Sequence, residues 1–206
     1  MFRDRADAGQ QLADVLEERG IEADLVLAIP RGALPVARPV ADRLGAPLDV
    51  VVARKIGAPT NPELALGAVA DDGTAWLNDD LIERLGVADD YLRQTRAGER
   101  ANAKEKFDRY RGERGPLDVT GKRVVVVDDG VATGATMRAC LLRVRAGDPA
   151  RVVAAVPVGP PDTLADLRSV ADEVIAVETP ENFRAVGRHY ERFDQVTDEQ
   201  ARTYLS

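Results

Sequence analysis

Residues 124–136 read VVVVDDGVATGAT, and how this run begins and ends decides the fold. Four consecutive Val residues suit a strand buried on both faces, as in a parallel sheet with helices on either side. The chemistry then belongs where the run stops. Asp128 and Asp129 fall at its carboxyl end, where open α/β sheets place ligands. Thr133, Gly134 and Thr136 follow with hydroxyls and close-approach backbone N–H groups at the start of a helix-like stretch, a setting suited to a phosphate dianion. Acceptors for hydroxyls stand beside donors for a phosphate, and a sugar phosphate uses both.

Outward from this run, strands and helices alternate. An amphipathic helix is predicted over residues 4–19, ended by Gly20. A short strand over 25–29 is broken by Pro30, Arg31 and Gly32, a helix over 34–44 ends at Gly45, and a second buried strand spans 48–53. Residues 56–62 are rich in Gly, Pro, Asn and Thr and mark a loop. Segments 64–69 and 74–77 flank the turn signal Asp71, Asp72, Gly73 and predict a hairpin. Residues 79–114 are polar, highly charged and mostly helical, closed by Gly115 and Pro116. A helix over 136–145, a strand over 151–157, a helix over 162–170 and a strand over 173–177 complete the pattern. Near-continuous apolar strands alternating with helices argue for a doubly wound parallel sheet with a β-hairpin insertion.

Composition excludes several functions. A chain of 206 residues with formal net charge -7 fits one domain with a small elaboration and speaks against a general grip on nucleic acid. No run approaches membrane-spanning length, and the first residues carry no apolar core of a secretion signal. Cys140 is the only cysteine, so no intramolecular disulfide forms and a cytoplasmic setting is the simple reading. The GxxxxGK[ST] loop is absent and Gly130 with Gly134 does not make GxGxxG, so nucleotide triphosphatases and dinucleotide binders lack their residues. Adjacent carboxylates also rule out a DxD phosphatase pattern.

Two further segments suit anions. The turn after the first strand offers the Arg31 fork and the backbone of Gly32 at the same sheet edge as Asp128. Arg54 and Lys55 place adjacent cations after the second strand, suited to a pyrophosphate. Among the charges of 79–114, Arg93, Arg96, Arg100 and Lys104 are candidates to cap a ligand, against the plainer reading of a solvated helix face. Phe183 and Tyr190 either stack on a planar ligand or pack internally.

The string DDGVATGAT resembles the signature of type I phosphoribosyltransferases, which bind 5-phosphoribosyl-1-pyrophosphate (PRPP) between an acidic pair and a Thr/Gly-rich loop. Gly130 departs from the pattern, which usually has an aliphatic residue there. The resemblance implies a five-stranded parallel core over about residues 20–180, with a small hood from the N-terminal helix and about 179–206. It implies that Asp128 and Asp129 hold the ribose hydroxyls, and that Gly130, Val131, Ala132, Thr133, Gly134, Ala135 and Thr136 hold the 5-phosphate. Arg31, Gly32, Arg54 and Lys55 would contact the pyrophosphate, the first two through an unusual peptide conformation. Mg²⁺ would be held mainly through PRPP, without direct protein ligands, and a homodimer is the family default. The implied reaction is transfer of 5-phosphoribosyl to a nitrogen acceptor such as a nucleobase. Members acting on 6-oxopurines carry an Asp where this chain has Ala132, so that acceptor class is disfavoured. The alternative is a PRPP-sensing regulator of the same fold without turnover, with nucleic acid disfavoured as its partner by the acidic composition.

Overall fold

The computed structural model describes residues 1–205. The Val run forms the middle strand of a five-stranded parallel sheet. Its strands are β1 (Leu25–Ala28), β2 (Leu48–Val50), β6 (Arg123–Val127), β7 (Arg151–Val158) and β8 (Glu173–Glu178), in the order β2-β1-β6-β7-β8. Leu25 to Ala28 pair with Val124 to Val127 in parallel register, and every one of these eight residues is buried. Burial of side chains pointing both ways requires cover on both faces, which explains why the strands are unbroken apolar runs rather than alternating ones.

Helices α1 (Arg5–Glu18) and α2 (Leu34–Leu44) pack on each other, and α1 also reaches β7 and β8 while α2 reaches β1 and β2. Gly9 makes that approach possible. A Cβ at Gly9 would lie 2.5 Å from the Val36 carbonyl oxygen and 3.1 Å from Pro39 Cγ. Gly9→Ala gains about 1 kcal/mol of helix propensity, but forcing backbone apart costs about 1–3 kcal/mol. A net loss of stability is expected, read as a lower Tm; an unchanged or higher Tm would show that α1 and α2 separate freely.

The expected hairpin is present and gains a third strand, making a second sheet. Strands β3 (Ala53–Gly57), β4 (Ala65–Ala70) and β5 (Ala75–Leu77) are antiparallel in the order β3-β4-β5. The expected second core strand over 48–53 therefore stops at Val50. The chain passes from one sheet to the other at Val51 and Val52, and Arg54 and Lys55 lie within β3, opposite Val69 and Ala68, rather than following a core strand. The turn at Asp71 and Asp72 is tied to helix α5 (Ala135–Arg145) by Arg143, whose Nε lies 3.5 and 3.2 Å from their carboxylates.

The charged segment forms two helices, α3 (Asp79–Leu85) and α4 (Asp89–Arg111), separated at the left-handed Gly86. The inner stripe Ala103, Phe107 and Tyr110 is buried. Arg111, 8% exposed, donates to both Asp49 oxygens at 3.0–3.1 Å and fixes the end of α4 to β2. Helix α6 (Pro161–Leu167), a single-turn 3-10 helix at Val186–His189 and helix α7 (Asp198–Thr203) follow. Phe2 forms an isolated bridge with Tyr190, so the first residues and the tail pair with each other. Among the described residues, no helix is long and apolar enough to cross a membrane.

Candidate active site

Strand β1 has β2 on one side and β6 on the other, so the chain leaves β1 and β6 toward opposite ends of the sheet. A crevice opens between the two loops at this switch point. Into it project the turn 29–33 after β1 and the run 128–134 after β6. The two touch: a Cβ on Gly32 would lie 2.2 Å from Asp129 Oδ2, so no larger residue fits between the turn and the acidic pair. The peptide between Pro30 and Arg31 is cis, next to the Arg31 and Gly32 positions where the resemblance implied an unusual peptide.

Asp128 and Asp129 are part-buried, and the Asp129 N–H donates to Asp128 Oδ1 at 2.9 Å. Burial, and then the neighbouring Asp129 charge, hold the Asp128 carboxyl well above the ordinary carboxylate range. Burial raises Asp129 as well, with Arg5 opposing it. Arg5 Nε donates to Asp129 Oδ2 at 2.8 Å and its guanidinium sits 3.8 Å over the Phe193 ring. The Tyr190 hydroxyl donates to the Asp129 carbonyl at 2.6 Å. The N-terminal helix and the tail thus brace the second of the two acidic residues, whereas among the described residues no cation hydrogen-bonds the first.

The loop that follows is shaped by its glycines. Gly134 adopts φ 75° and leads into α5, whose N-terminus carries no side-chain cap, so its first N–H groups remain available to an anion. Gly130, at φ 156°, leaves room that Val186 fills; a Cβ there would lie 2.6 Å from Val186 Cγ1. The tail thereby supplies the aliphatic group that residue 130 lacks. Ala132 is exposed and its carbonyl accepts from Thr163 Oγ1 at 2.8 Å.

Cations line two adjoining clefts. One, of about 510 Å³, runs from Ile29 and Pro30 past Arg54 and Lys55 to Thr136. The other, of about 290 Å³, is lined by Arg31, Arg54, Lys106, Arg109 and Asp198 among others. Lys106 and Arg54 border both. Lys106, on α4, donates from Nζ to the Pro30 carbonyl. Burial, then Arg54 and Arg31, push its ammonium below the usual lysine range. Arg54 pairs with Glu99 at 3.1 Å and Lys55 with Glu63 at 3.0 Å.

Sequence reasoning missed Lys106, and with it Arg5 and Asp198. The cations it weighed point elsewhere: Arg93 pairs with Asp90, Arg96 donates to the Gly73 carbonyl at 2.9 Å, Arg100 lies against Gly73, and Lys104 pairs with Asp108. The late aromatics pack internally. Phe183 stacks on His189 at 5.4 Å, and Tyr190 lies 5.3 Å from Phe2 and 4.9 Å from Phe193.

Residues 5–191 match the model of the phosphoribosyl transferase domain. A curated relative from Mycobacterium tuberculosis H37Rv, "Putative phosphoribosyl transferase Rv0571c", is 42% identical over 205 residues, and an equivalent protein of strain CDC 1551 matches equally. The chain spans 46% of their length. The crystal structure of TT1426 from Thermus thermophilus is 46% identical with a TM-score of 0.83, covering 100% of this chain and 97% of that one. A family match over nearly the whole chain, on a sheet that brings the acidic pair, the Gly/Thr loop and the cationic turn to one crevice, has one consequence: this chain belongs to the phosphoribosyl transferase domain family.

Proposed function

We propose that the chain transfers 5-phosphoribosyl from PRPP to a nitrogen acceptor, releasing pyrophosphate. The observation that carries this reading is the gathering of Arg31, Arg54 and Lys106 around clefts beside the acidic pair. Glu99 and Asp198 offset part of the repulsion among these cations by pairing with Arg54 and Arg31, and a polyanion in the cleft would offset the rest. PRPP carries charge at both ends of a polyol, and the chain offers cationic clefts, a carboxylate pair and an uncapped helix N-terminus.

In this reading the α5 N-terminus, with Thr133, Gly134 and Thr136, binds the 5-phosphate. Asp128 and Asp129 accept from the ribose 2- and 3-hydroxyls and face the positive charge that develops on the ring. The acceptor nitrogen forms a bond to the anomeric carbon as the bond to the pyrophosphate oxygen breaks, and the electron pair leaves with pyrophosphate. Arg31, Arg54, Lys55 and Lys106 stabilise that leaving group. Mg²⁺ fits the site: Asp128 and Asp129 are hard oxygen donors of the kind that suit such an ion, which would arrive with PRPP. Such an ion supplies charge neutralisation at the leaving group.

Ala132 transfers no proton, so an acceptor needing an acid or base at that position is disfavoured. Titration of Mg²⁺ and PRPP by calorimetry, paired with pyrophosphate release across a nucleobase panel, tests the proposal. Binding together with acceptor-dependent release is expected. Binding with no release on any acceptor would favour a ligand-sensing role, and no binding would overturn the assignment.

A further inference from the structure

The cationic cleft already contains two carboxylates, Glu105, which pairs with Arg109, and Asp198. Asp198, the first residue of α7, accepts from the Tyr110 hydroxyl and lies 3.1 Å from Arg109 Nη1 and 3.5 Å from Arg31 Nη1. It lines the same cleft as Arg31, Arg54 and Lys106. Helix α7 holds it there. A reciprocal cap between Thr197 and Gln200 starts the helix, Ala201 is fully buried, and Arg38 and Arg114 donate to the carbonyls of Tyr204 and Leu205. Tyr110 is itself buried on the inner stripe of α4, so both sides of the contact are anchored.

Resting on the proposed function, we infer that Asp198 is an affinity-setting residue for the leaving group: a resident carboxylate that shares Arg31 and Arg109 with pyrophosphate and limits how tightly the cleft retains it. Two effects of opposite sign meet at this position. Asp198 orients Arg31, which would favour ligand binding, and it repels any anion entering beside it. The pair with Arg31 is long and part-exposed, with 42% and 38% of the two side chains accessible, so its orienting contribution is small. A pyrophosphate meets the Asp198 charge with several charges of its own, and repulsion therefore sets the sign.

Pyrophosphate with Mg²⁺ is titrated by calorimetry into the wild type, Asp198→Asn and Glu199→Gln. Glu199 is exposed on the same helix turn and removes the same charge without facing the cleft. Asp198→Asn should bind at least about fivefold tighter than the wild type and Glu199→Gln within about twofold, with the gap shrinking at high salt as screening predicts. Asp198→Ser, which keeps a residue suited to the start of a helix, should match Asp198→Asn, and melting curves establish that each variant is folded. Equal binding by all the proteins, or weaker binding by the Asp198 variants, would overturn the inference while leaving the pyrophosphate cleft in place. Absence of binding in every protein, wild type included, would overturn the cleft assignment and the inference with it.

Discussion

Asp128→Asn should cut turnover by about 10²–10³ and raise the stability of the free protein. The two effects have one origin. Asp128 is a part-buried carboxylate beside a second carboxylate, and burial followed by the Asp129 charge raises its pKa well above the ordinary value. Native protein therefore binds a proton at Asp128 more readily than unfolded chain, whose Asp titrates near 3.8. Stability falls as pH rises from that value through the raised native one, because the charged form is disfavoured only in the folded state. Asparagine keeps the shape, still accepts from the Asp129 N–H and carries no charge. Replacing a buried charge by a neutral group of equal volume contributes about 1–3 kcal/mol, and each kcal/mol raises Tm by about 2–4 °C at this chain length. The Tm difference between variant and wild type should be near zero at pH 4 and widen toward pH 8.

Activity moves the other way. Loss of one preorganised electrostatic group lowers kcat by about 10²–10³. A site that is costly in the free protein and favourable in the transition state is the usual trade between stability and activity. Asp129→Asn should differ, because it leaves the Arg5 guanidinium, only 12% exposed, without its carboxylate. The stability gain should vanish there while turnover is still lost. PRPP-dependent turnover equal to wild type in Asp128→Asn would sink the assigned role.

The contrast between these two carboxylates also marks what the sequence makes legible. A strand, an acidic pair and a Gly/Thr loop are local features, written in consecutive residues by apolar continuity and backbone chemistry. The crevice between β1 and β6 follows from the alternation of strands and helices, since parallel order places both loops at one sheet edge. The partners that differentiate the carboxylates are not local. Arg5 lies 124 residues from Asp129, Lys106 lies 76 from Pro30, and Asp198 lies 167 from Arg31. No period or spacing ties such residues together. The one available signal concerned Lys106, which falls on the helical stripe of Ala103, Phe107 and Tyr110 and so faces inward, unlike Lys104. The shift of Arg54 and Lys55 into β3 was hidden for a different reason. Val50, Val51, Val52 and Ala53 form one apolar run, and the switch between sheets inside it has no Gly or Pro to mark it.

Lys106→Met should weaken pyrophosphate and PRPP binding by about 30–100-fold, the loss of one charge-assisted contact in a part-desolvated cleft worth about 2–3 kcal/mol. The same substitution should stabilise the free protein at neutral pH, because burial, then Arg54 and Arg31, disfavour the Lys106 ammonium when no anion is present. Methionine keeps the unbranched stem and removes the charge, although the Pro30 carbonyl loses its donor. The pH dependence separates this from a packing effect. With the native pKa below that of the unfolded chain, the native state binds fewer protons, so wild-type stability rises with pH between the native value and 10.5. Ligand binding runs opposite to stability. A polyanion favours the ammonium, so wild-type affinity should fall as pH rises past the Lys106 pKa of the free protein, with proton uptake on binding in that range. In Lys106→Met that fall and that uptake should both be absent. Calorimetry of Mg²⁺ and pyrophosphate in two buffers of different ionisation enthalpy, at pH 7 and pH 9, reads both quantities. Equal proton uptake in variant and wild type at pH 9 would remove Lys106 from the binding site, whatever the loss of affinity.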